Sequence, residues 1–304
     1  MKSKIAFVWQ GISDPKIREQ WKDGLYAAMK LLESKYDVFY HEPYDDITDV
    51  DLILYWEAPC TYGGKDRENY YKVQNNPIKK ILLFAGGSIQ KLWCENFDMF
   101  LVESEISEKE FSELSLPWMR AFGVNTDIMK PEKQPKVFDA CFPSTCAGWK
   151  RQGLFSKALR DKGVICGRYQ QADPEPFNHA RANGSLLFNE LPAHAVNTIY
   201  NSSWTCVNTS DYWGGGQRTT LEALASGTPV VVMSDSIKNR EYIEESGCGI
   251  VIEPNEEAIR NAIEDIKVWT EEQRMKGREY IMSKWTHHHY ADNISKAIEL
   301  VLSK

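Results

Sequence analysis

Residues 207–232 read VNTSDYWGGGQRTTLEALASGTPVVV. A run of apolar and β-branched residues ends near Asn208, and a short polar loop leads to three glycines, Gly214, Gly215 and Gly216. Helical spacing begins near Thr219 and stops at Gly227, and Pro229 opens a second apolar run. A strand, a glycine-rich turn, a helix and a parallel strand form the unit from which doubly wound sheets are built. Glycines ahead of a helix let a ligand approach the backbone closely. The unpaired N–H groups of a helix N-terminus attract anions, and the helix dipole adds to that attraction. Arg218 stands at the same terminus with a guanidinium fork that suits phosphate oxygens. Glu222 follows one turn later, where a carboxylate can accept hydrogen bonds from ribose hydroxyls. Phosphate at the loop and ribose at the carboxylate describe a nucleoside diphosphate across the carboxyl end of a strand. The bland alternative is a tight turn without a ligand, but a plain turn needs fewer than three consecutive glycines, because each one loses much backbone freedom on folding.

Outward from this segment the same alternation repeats. Toward the N-terminus, short apolar runs at 5–9, 37–40, 51–56, 80–85, 97–102 and 118–122 read as strands of a mostly parallel sheet. Ile17, Trp21, Leu25, Ala28 and Leu32 follow helical spacing between the first two. Residues 125–137 carry Pro131, Pro135 and several charges and read as a linker. The pattern then restarts, with strands at 138–142, 164–167, 185–188, 205–208, 230–233 and 249–252 and helices at 154–160, 194–200, 219–225 and 256–266. The tail from Glu271 is helical, and Tyr290, Ile294, Ile298 and Val301 share one face, so the last helix must pack against something. The expected organisation is an N-terminal lobe at 1–124, a C-terminal lobe at 125–286, and a helix at 287–304 that crosses back to the first lobe.

Composition narrows the function. The 304 residues exceed one typical core and suggest two lobes. A net charge of −7 argues against nucleic acid as the main partner, since that binding rests on Lys and Arg displacing counterions. Ten Trp and 14 Tyr supply large cores or, alternatively, stacking surfaces for sugars or bases. Seven Cys without a CxxC pair suggest reduced thiols in a cytoplasmic protein rather than a disulfide framework or zinc site. No apolar run is long enough to span a bilayer, and no basic amphipathic helix marks membrane attachment, although a peripheral place at a membrane stays open. His287, His288 and His289 are consecutive on a helical pattern, so they point in different directions and read as a polar stretch rather than one metal site.

The motif LEALASGTPVVV at 221–232 resembles the donor-binding region of glycosyltransferase family 4, a retaining family of GT-B architecture. Glu222 takes the place of the family carboxylate that binds the nucleotide ribose. The family's preceding Glu, associated with the transferred sugar, falls on Gly214. Further along the resemblance, Phe122 to Asp127 followed by Pro131 is similar to the stretch that enters the second lobe. Lys150, in the segment 149–155, aligns with the lysine that contacts the donor diphosphate. The family's partner arginine falls on Thr145, and Arg151 or Arg218 is the candidate replacement for its charge. Asn189 lies in a segment similar to the one flanking the nucleotide base, and Gly247-Cys248-Gly249 opens a matching strand. The resemblance covers 118–304 and is weak before that.

What the resemblance implies is a GT-B fold, two Rossmann-like doubly wound parallel-sheet domains facing a central cleft. It also implies a glycosyltransferase that moves a sugar from a nucleotide-diphosphate sugar, such as a UDP- or GDP-sugar, to the hydroxyl of a glycan or lipid-linked acceptor. No metal or other cofactor is expected, and the configuration at the sugar would be retained. The expected donor site comprises Gly11, Thr145, Lys150, Arg151, Asn189, Gly214, Gly215, Gly216, Gln217, Arg218, Thr219 and Glu222. Within it Lys150, Arg218 and Glu222 are the catalytic candidates. The expected acceptor side is Trp9, Gln10, His41, Glu57, Gly86 and Gly87, at the ends of the first lobe's strands. Two alternatives remain at this point: an epimerase or phosphorylase on the same fold, and a non-catalytic nucleotide-sugar or glycan-binding protein.

Overall fold

The computed structural model describes residues 2–9, 11–16, 22–43, 45–56, 67–84, 96–168, 175–211 and 217–304, with only the backbone at 67–70 and 176. The chain forms two compact units, Met1–Gly123 together with His287–Lys304, and Val124–Thr286.

In the first unit the strands are β1 (Lys4–Val8), β2 (Asp37–His41), β3 (Leu52–Trp56), β4 (Lys79–Phe84), β5 (Met99–Val102) and β6 (Trp118–Arg120). They form one six-stranded sheet in the order β2-β1-β3-β4-β5-β6, with every pairing parallel. Ile5 to Val8 and Leu52 to Tyr55 are buried along their whole length, as strands covered on both faces must be. Three described helices connect them, α1 (Gly24–Leu32), α2 (Arg67–Asn75) and α3 (Glu105–Glu113). Asp23 caps α1 by accepting the Tyr26 N–H at 2.8 Å, and Ser104 caps α3 through the Ser107 N–H. Ile17 and Trp21 of the expected first helix lie outside the described residues.

The second unit repeats the plan. Its strands are β7 (Phe138–Pro143), β8 (Gly163–Cys166), β9 (Leu186–Phe188), β10 (Ser203–Asn208), β11 (Val230–Met233) and β12 (Gly249–Ile252). Its helices are α4 (Gln152–Leu159), α5 (Glu175–Ala182), α6 (Ala193–Asn201), α7 (Gln217–Ala225), α8 (Ile237–Ser246), α9 (Glu256–Lys267) and α10 (Glu271–Lys284). The sheet order is β12-β11-β10-β7-β8-β9, again all parallel. Phe142, Phe155, Val207, Val231 and Ile263 belong to its continuous core.

The turn after α7 shows why the motif has its glycine and proline. Gly227 adopts φ 72, its N–H reaches the Leu224 carbonyl at 3.0 Å, and the Thr228 N–H reaches the Ala223 carbonyl at 2.9 Å. These two bonds close a Schellman cap, and Pro229 cannot extend the helix. Gly247 ends α8 in the same left-handed way, at φ 60.

The stretch 125–137, expected to be a linker, is strapped to the second unit. The Lys130 N–H donates to Asn197 Oδ1 at 3.1 Å and the Glu132 N–H to Asn201 Oδ1 at 2.7 Å. Lys136 Nζ donates to the carbonyls of Asn201 and Ser203. The helical tail is broken at Trp285–Thr286, where Thr286 pairs with Val124. Beyond the break, α11 (His287–Leu302) belongs to the first unit and packs on α1, β4 and β5. Ile294, Ala297 and Ile298 are completely buried on its inner face, and Tyr36 Oη meets Ser295 Oγ at 2.9 Å. Helices α2, α3, α5 and α8 escape the apolar pattern of the sequence because they are short and largely polar, as EISEKEFSE in α3 illustrates.

Gly249 begins β12 where a Cβ would meet the Val230 carbonyl oxygen and the Ile243 side chain. The variant Gly249→Ala is expected to lose about 1–3 kcal/mol of unfolding free energy, read from a urea titration. An unchanged midpoint would show that β11 and β12 are less closely apposed than described.

Candidate functional site

In the second sheet β7 leads through α4 to β8 on one side, while β10 leads through α7 to β11 on the other. The direction in which successive strands are added therefore reverses between the paired, parallel central strands β7 and β10. The carboxyl edge at such a switch point is where open α/β sheets bind ligands.

On the β10 side, buried polar groups hold the start of α7 in place. Thr219 Oγ1 donates to the Pro143 carbonyl at 2.6 Å. Asn208 Nδ2 donates to Thr220 Oγ1 at 3.0 Å, Thr220 Oγ1 to Asn239 Oδ1 at 2.8 Å, and Asn239 Nδ2 to Ser236 Oγ at 2.9 Å. Asn208, Thr220, Asn239 and Ser236 are all buried, where each unpaired group would carry the full cost of desolvation. Tyr200 Oη lies 3.4 Å from Glu222 Oε2 and 3.3 Å from the Thr219 carbonyl. Burial, followed by the Glu222 charge, pushes the Tyr200 phenol well above its ordinary value, so it stays a neutral donor.

On the β7 side the chain passes through a short 3₁₀ turn, Gly148–Lys150, into Arg151 at φ 51, ψ 38. Arg151 Nε donates to the Thr209 carbonyl at 2.6 Å and one terminal nitrogen to the Ser210 carbonyl at 3.0 Å. Both terminal nitrogens also reach the Asp235 carboxylate at 2.7 Å. Thr209 Oγ1 in turn donates to the Lys150 carbonyl at 2.7 Å. The loops after β7, β10 and β11 are thus laced together, with Lys150 on the turn they fix. Arg151 holds the Asp235 carboxyl below the usual carboxylate range. A depressed folded-state value means the contribution is present above the unfolded-state value and lost only as pH falls through the folded one. The pair is therefore intact at neutral pH.

The structure alters two expectations about site residues. Arg151 was the candidate replacement for a missing donor-phosphate charge. Four of its N–H bonds are instead taken up by Asp235, Thr209 and Ser210, which makes it a clamp. Gly11 was expected to offer its amide to the donor, but that N–H donates to Glu42 Oε2 at 2.7 Å within the first unit.

The remaining expected residues fall as follows. Lys150 lies on the turn after β7, and Gln217, Arg218, Thr219 and Glu222 lie in the first two turns of α7 after β10. The Thr219 hydroxyl is engaged by Pro143 and is structural. Thr145 gives its carbonyl to Gln152 Nε2 at 2.8 Å. Asn189 is exposed one residue past the edge strand β9, two strands away from β7. Trp9 and His41 end strands of the first sheet. Gln10, Glu57, Gly86, Gly87, Gly214, Gly215 and Gly216 lie outside the described residues.

Sequence reasoning did not single out Ser210, Asp235 or Tyr200, since no local pattern distinguishes them. Ser210 Oγ and Gln217 Nε2 are buried without a hydrogen-bond partner, one beyond β10 and the other at the first residue of α7. Unpaired buried polar atoms are rare in folded proteins and call for a physical explanation.

Comparison with known proteins fits this geometry. Residues 162–281 match the family described as Glycosyl transferases group 1. A search of curated protein sequences gives no match. Among solved structures, the chain is similar to sucrose-phosphate synthase from Thermosynechococcus elongatus, with a TM-score of 0.76 at 13% identity, covering 99% of this chain and 100% of that one. Anabaena HepE in complex with UDP and glucose gives a TM-score of 0.73 at 11% identity, covering 98% and 100%. WaaG, a glycosyltransferase involved in lipopolysaccharide biosynthesis, gives 0.61 at 13%, covering 98% and 99%. At these identities the structural likeness establishes the fold, which is GT-B. The chain is a glycosyltransferase of that architecture. More specifically, its second unit carries the glycosyl transferases group 1 domain, with the LEALASGTPVVV motif inside it.

Removing each half of the clamp separates its two roles. Asp235→Ala should cost up to about 1 kcal/mol, because the ion pair is partly exposed. Arg151→Ala should cost about 2–3 kcal/mol, because the Thr209 and Ser210 carbonyls also lose charged donors. Equal losses in parallel denaturation curves would show that the two carbonyl bonds contribute nothing.

Proposed function

We propose that the chain transfers a glycosyl unit from a nucleotide-diphosphate sugar to an acceptor hydroxyl without a metal ion and with retention of configuration. What supports this reading is the switch point between β7 and β10, where the turn bearing Lys150 and the first turn of α7, with Arg218 and Glu222, follow the two paired strands. Leaving-group departure places negative charge on the diphosphate while the sugar becomes cationic. A lysine, an arginine and helix amides already held in place stabilise that charge without reorganisation at the moment of reaction. Glu222 is the ribose partner in this reading, and Tyr200 orients it. Ser210 Oγ and Gln217 Nε2 are polar atoms to which a bound donor would give partners. HepE was solved with UDP and glucose, which supports a nucleotide sugar as the co-substrate class.

The acceptor, a glycan or a lipid-linked sugar, is assigned to the first unit. No helix among the described residues is long and apolar enough to cross a membrane. The described cysteines, Cys141, Cys146, Cys166, Cys206 and Cys248, are buried free thiols, which suits a reducing cytoplasmic setting.

A second reading, a non-catalytic nucleotide-sugar binder, is favoured by the loss of Arg151 as a phosphate ligand and by Thr145 in place of an arginine. Donor-hydrolysis and transfer assays across a UDP- and GDP-sugar panel separate the two, with turnover expected only for the transferase. Lys150→Ala should lower kcat about 10²–10³-fold. Glu222→Ala should weaken nucleotide binding about tenfold or more, as expected for a lost charge-assisted bond. Chelation by EDTA should leave the rate unchanged. Binding without turnover, or full activity in both variants, would overturn the assignment.

A further inference from the structure

The turn that bears Lys150 has little of its own to hold it. It is a single 3₁₀ turn, Gly148–Lys150, and such turns have poorer hydrogen-bond geometry than an α-helix. It runs directly into Arg151 at φ 51, ψ 38, a left-handed conformation that is unfavourable for any residue with a Cβ. Backbone of this kind persists only where its surroundings over-determine it. The loop after β10 does so. The Asp211 N–H donates to the Trp149 carbonyl at 3.1 Å. Thr209 Oγ1 donates to the Lys150 carbonyl at 2.7 Å and faces the Arg151 carbonyl at 3.2 Å. The Arg151 guanidinium returns two bonds, to the carbonyls of the buried residues Thr209 and Ser210. The Lys150 N–H is used within the turn, on the Ala147 carbonyl at 2.9 Å. Both backbone groups of Lys150 are therefore committed.

Asp235 is the outlying member of this arrangement. It stands two residues past β11 and 84 residues from Arg151 in sequence. Each of its carboxylate oxygens accepts one terminal nitrogen of Arg151 at 2.7 Å. A bidentate pair fixes the plane of a guanidinium as well as its position. The same plane has to be held for Nε and a terminal nitrogen to reach two carbonyls at once. The carboxylate therefore completes the geometry that lets Arg151 keep the loop after β10 against the Lys150 turn.

We propose that Asp235 is a positioning residue for sugar transfer, fixing through Arg151 the backbone from which Lys150 reaches the donor diphosphate. This rests on the reading of Lys150 as a ligand of that diphosphate. A lysine ammonium rides on a flexible stem, so its reach is set by where the backbone of residue 150 lies. Only interactions that strengthen in the transition state raise the rate, and a small misplacement of such a group costs far more in rate than in binding. The loss on removing Asp235 therefore falls on kcat, with nucleotide affinity nearly kept.

A double-mutant cycle on the full chain tests this, read by hydrolysis of whichever UDP- or GDP-sugar the unaltered chain turns over fastest. Asp235→Ala should lower kcat about tenfold, while the Kd for UDP or GDP from calorimetry changes less than about threefold. In the Lys150→Ala background the same substitution should lower kcat less than about twofold, because the group it positions is gone. Asp235→Glu, which keeps the carboxylate, should recover part of the rate. Arg151→Lys, which keeps the charge and loses the fork, should lower kcat as Asp235→Ala does. An equal factor in both backgrounds, unchanged kcat in Asp235→Ala, or a Kd that rises as much as kcat falls would overturn the proposal. Loss of turnover in Lys150→Ala with none in Asp235→Ala removes this inference alone. Full turnover in Lys150→Ala, or no hydrolysis of any donor by the unaltered chain, removes the donor reading and this inference with it.

Discussion

The hydrogen bonds that fix the first turn of α7 are the constraint on which the switch point of the second unit depends. Thr219 ties that turn to the last carbonyl of β7, while Asn208, Thr220, Asn239 and Ser236 tie it to the end of β10 and the start of α8. A helix N-terminus attracts anions only over its first turn, so its usefulness depends on where that turn is held. Here it is held at the switch point by buried groups that cannot exchange their partners for water. The Arg151 clamp does the same for the turn bearing Lys150. Cation and helix dipole are thereby brought to one strand edge from opposite directions of chain progression.

The two units use one topology with different described side chains at the ends of their central strands. At the second switch point the described groups are Lys150, Arg218 and a helix N-terminus, with Glu222 a turn further in. At the first, the indoles of Trp9 and Trp56 stand beside a loop whose amides are satisfied by Glu42. The difference follows from which side chains end the central strands and not from the fold, which is shared.

Much of this was legible in the chain before any coordinates. Continuous apolar runs at β1, β3, β10 and β11 announce strands covered on both faces, because a strand exposed on one face would alternate. Gly227 and Pro229 announce the end of α7, since a left-handed cap and a residue without an N–H leave little choice. Lys150, Arg218 and Glu222 could be singled out because their motifs are local, each within one strand–turn–helix unit. The short polar helices α3 and α8 stayed hidden, because their apolar positions are too few to show a period.

What the sequence by itself determined is the pair of doubly wound sheets and the glycosyltransferase class, both written in local patterns of burial and in one contiguous motif. Tertiary structure decided the rest. Arg151 reads as a phosphate ligand until Asp235, 84 residues away in sequence, takes its fork. Gly11 reads as an open amide until Glu42 closes it from the neighbouring strand. A side chain's chemistry is set by its residue type, but whether that chemistry is available depends on partners brought together from distant parts of the chain, and no local pattern records them.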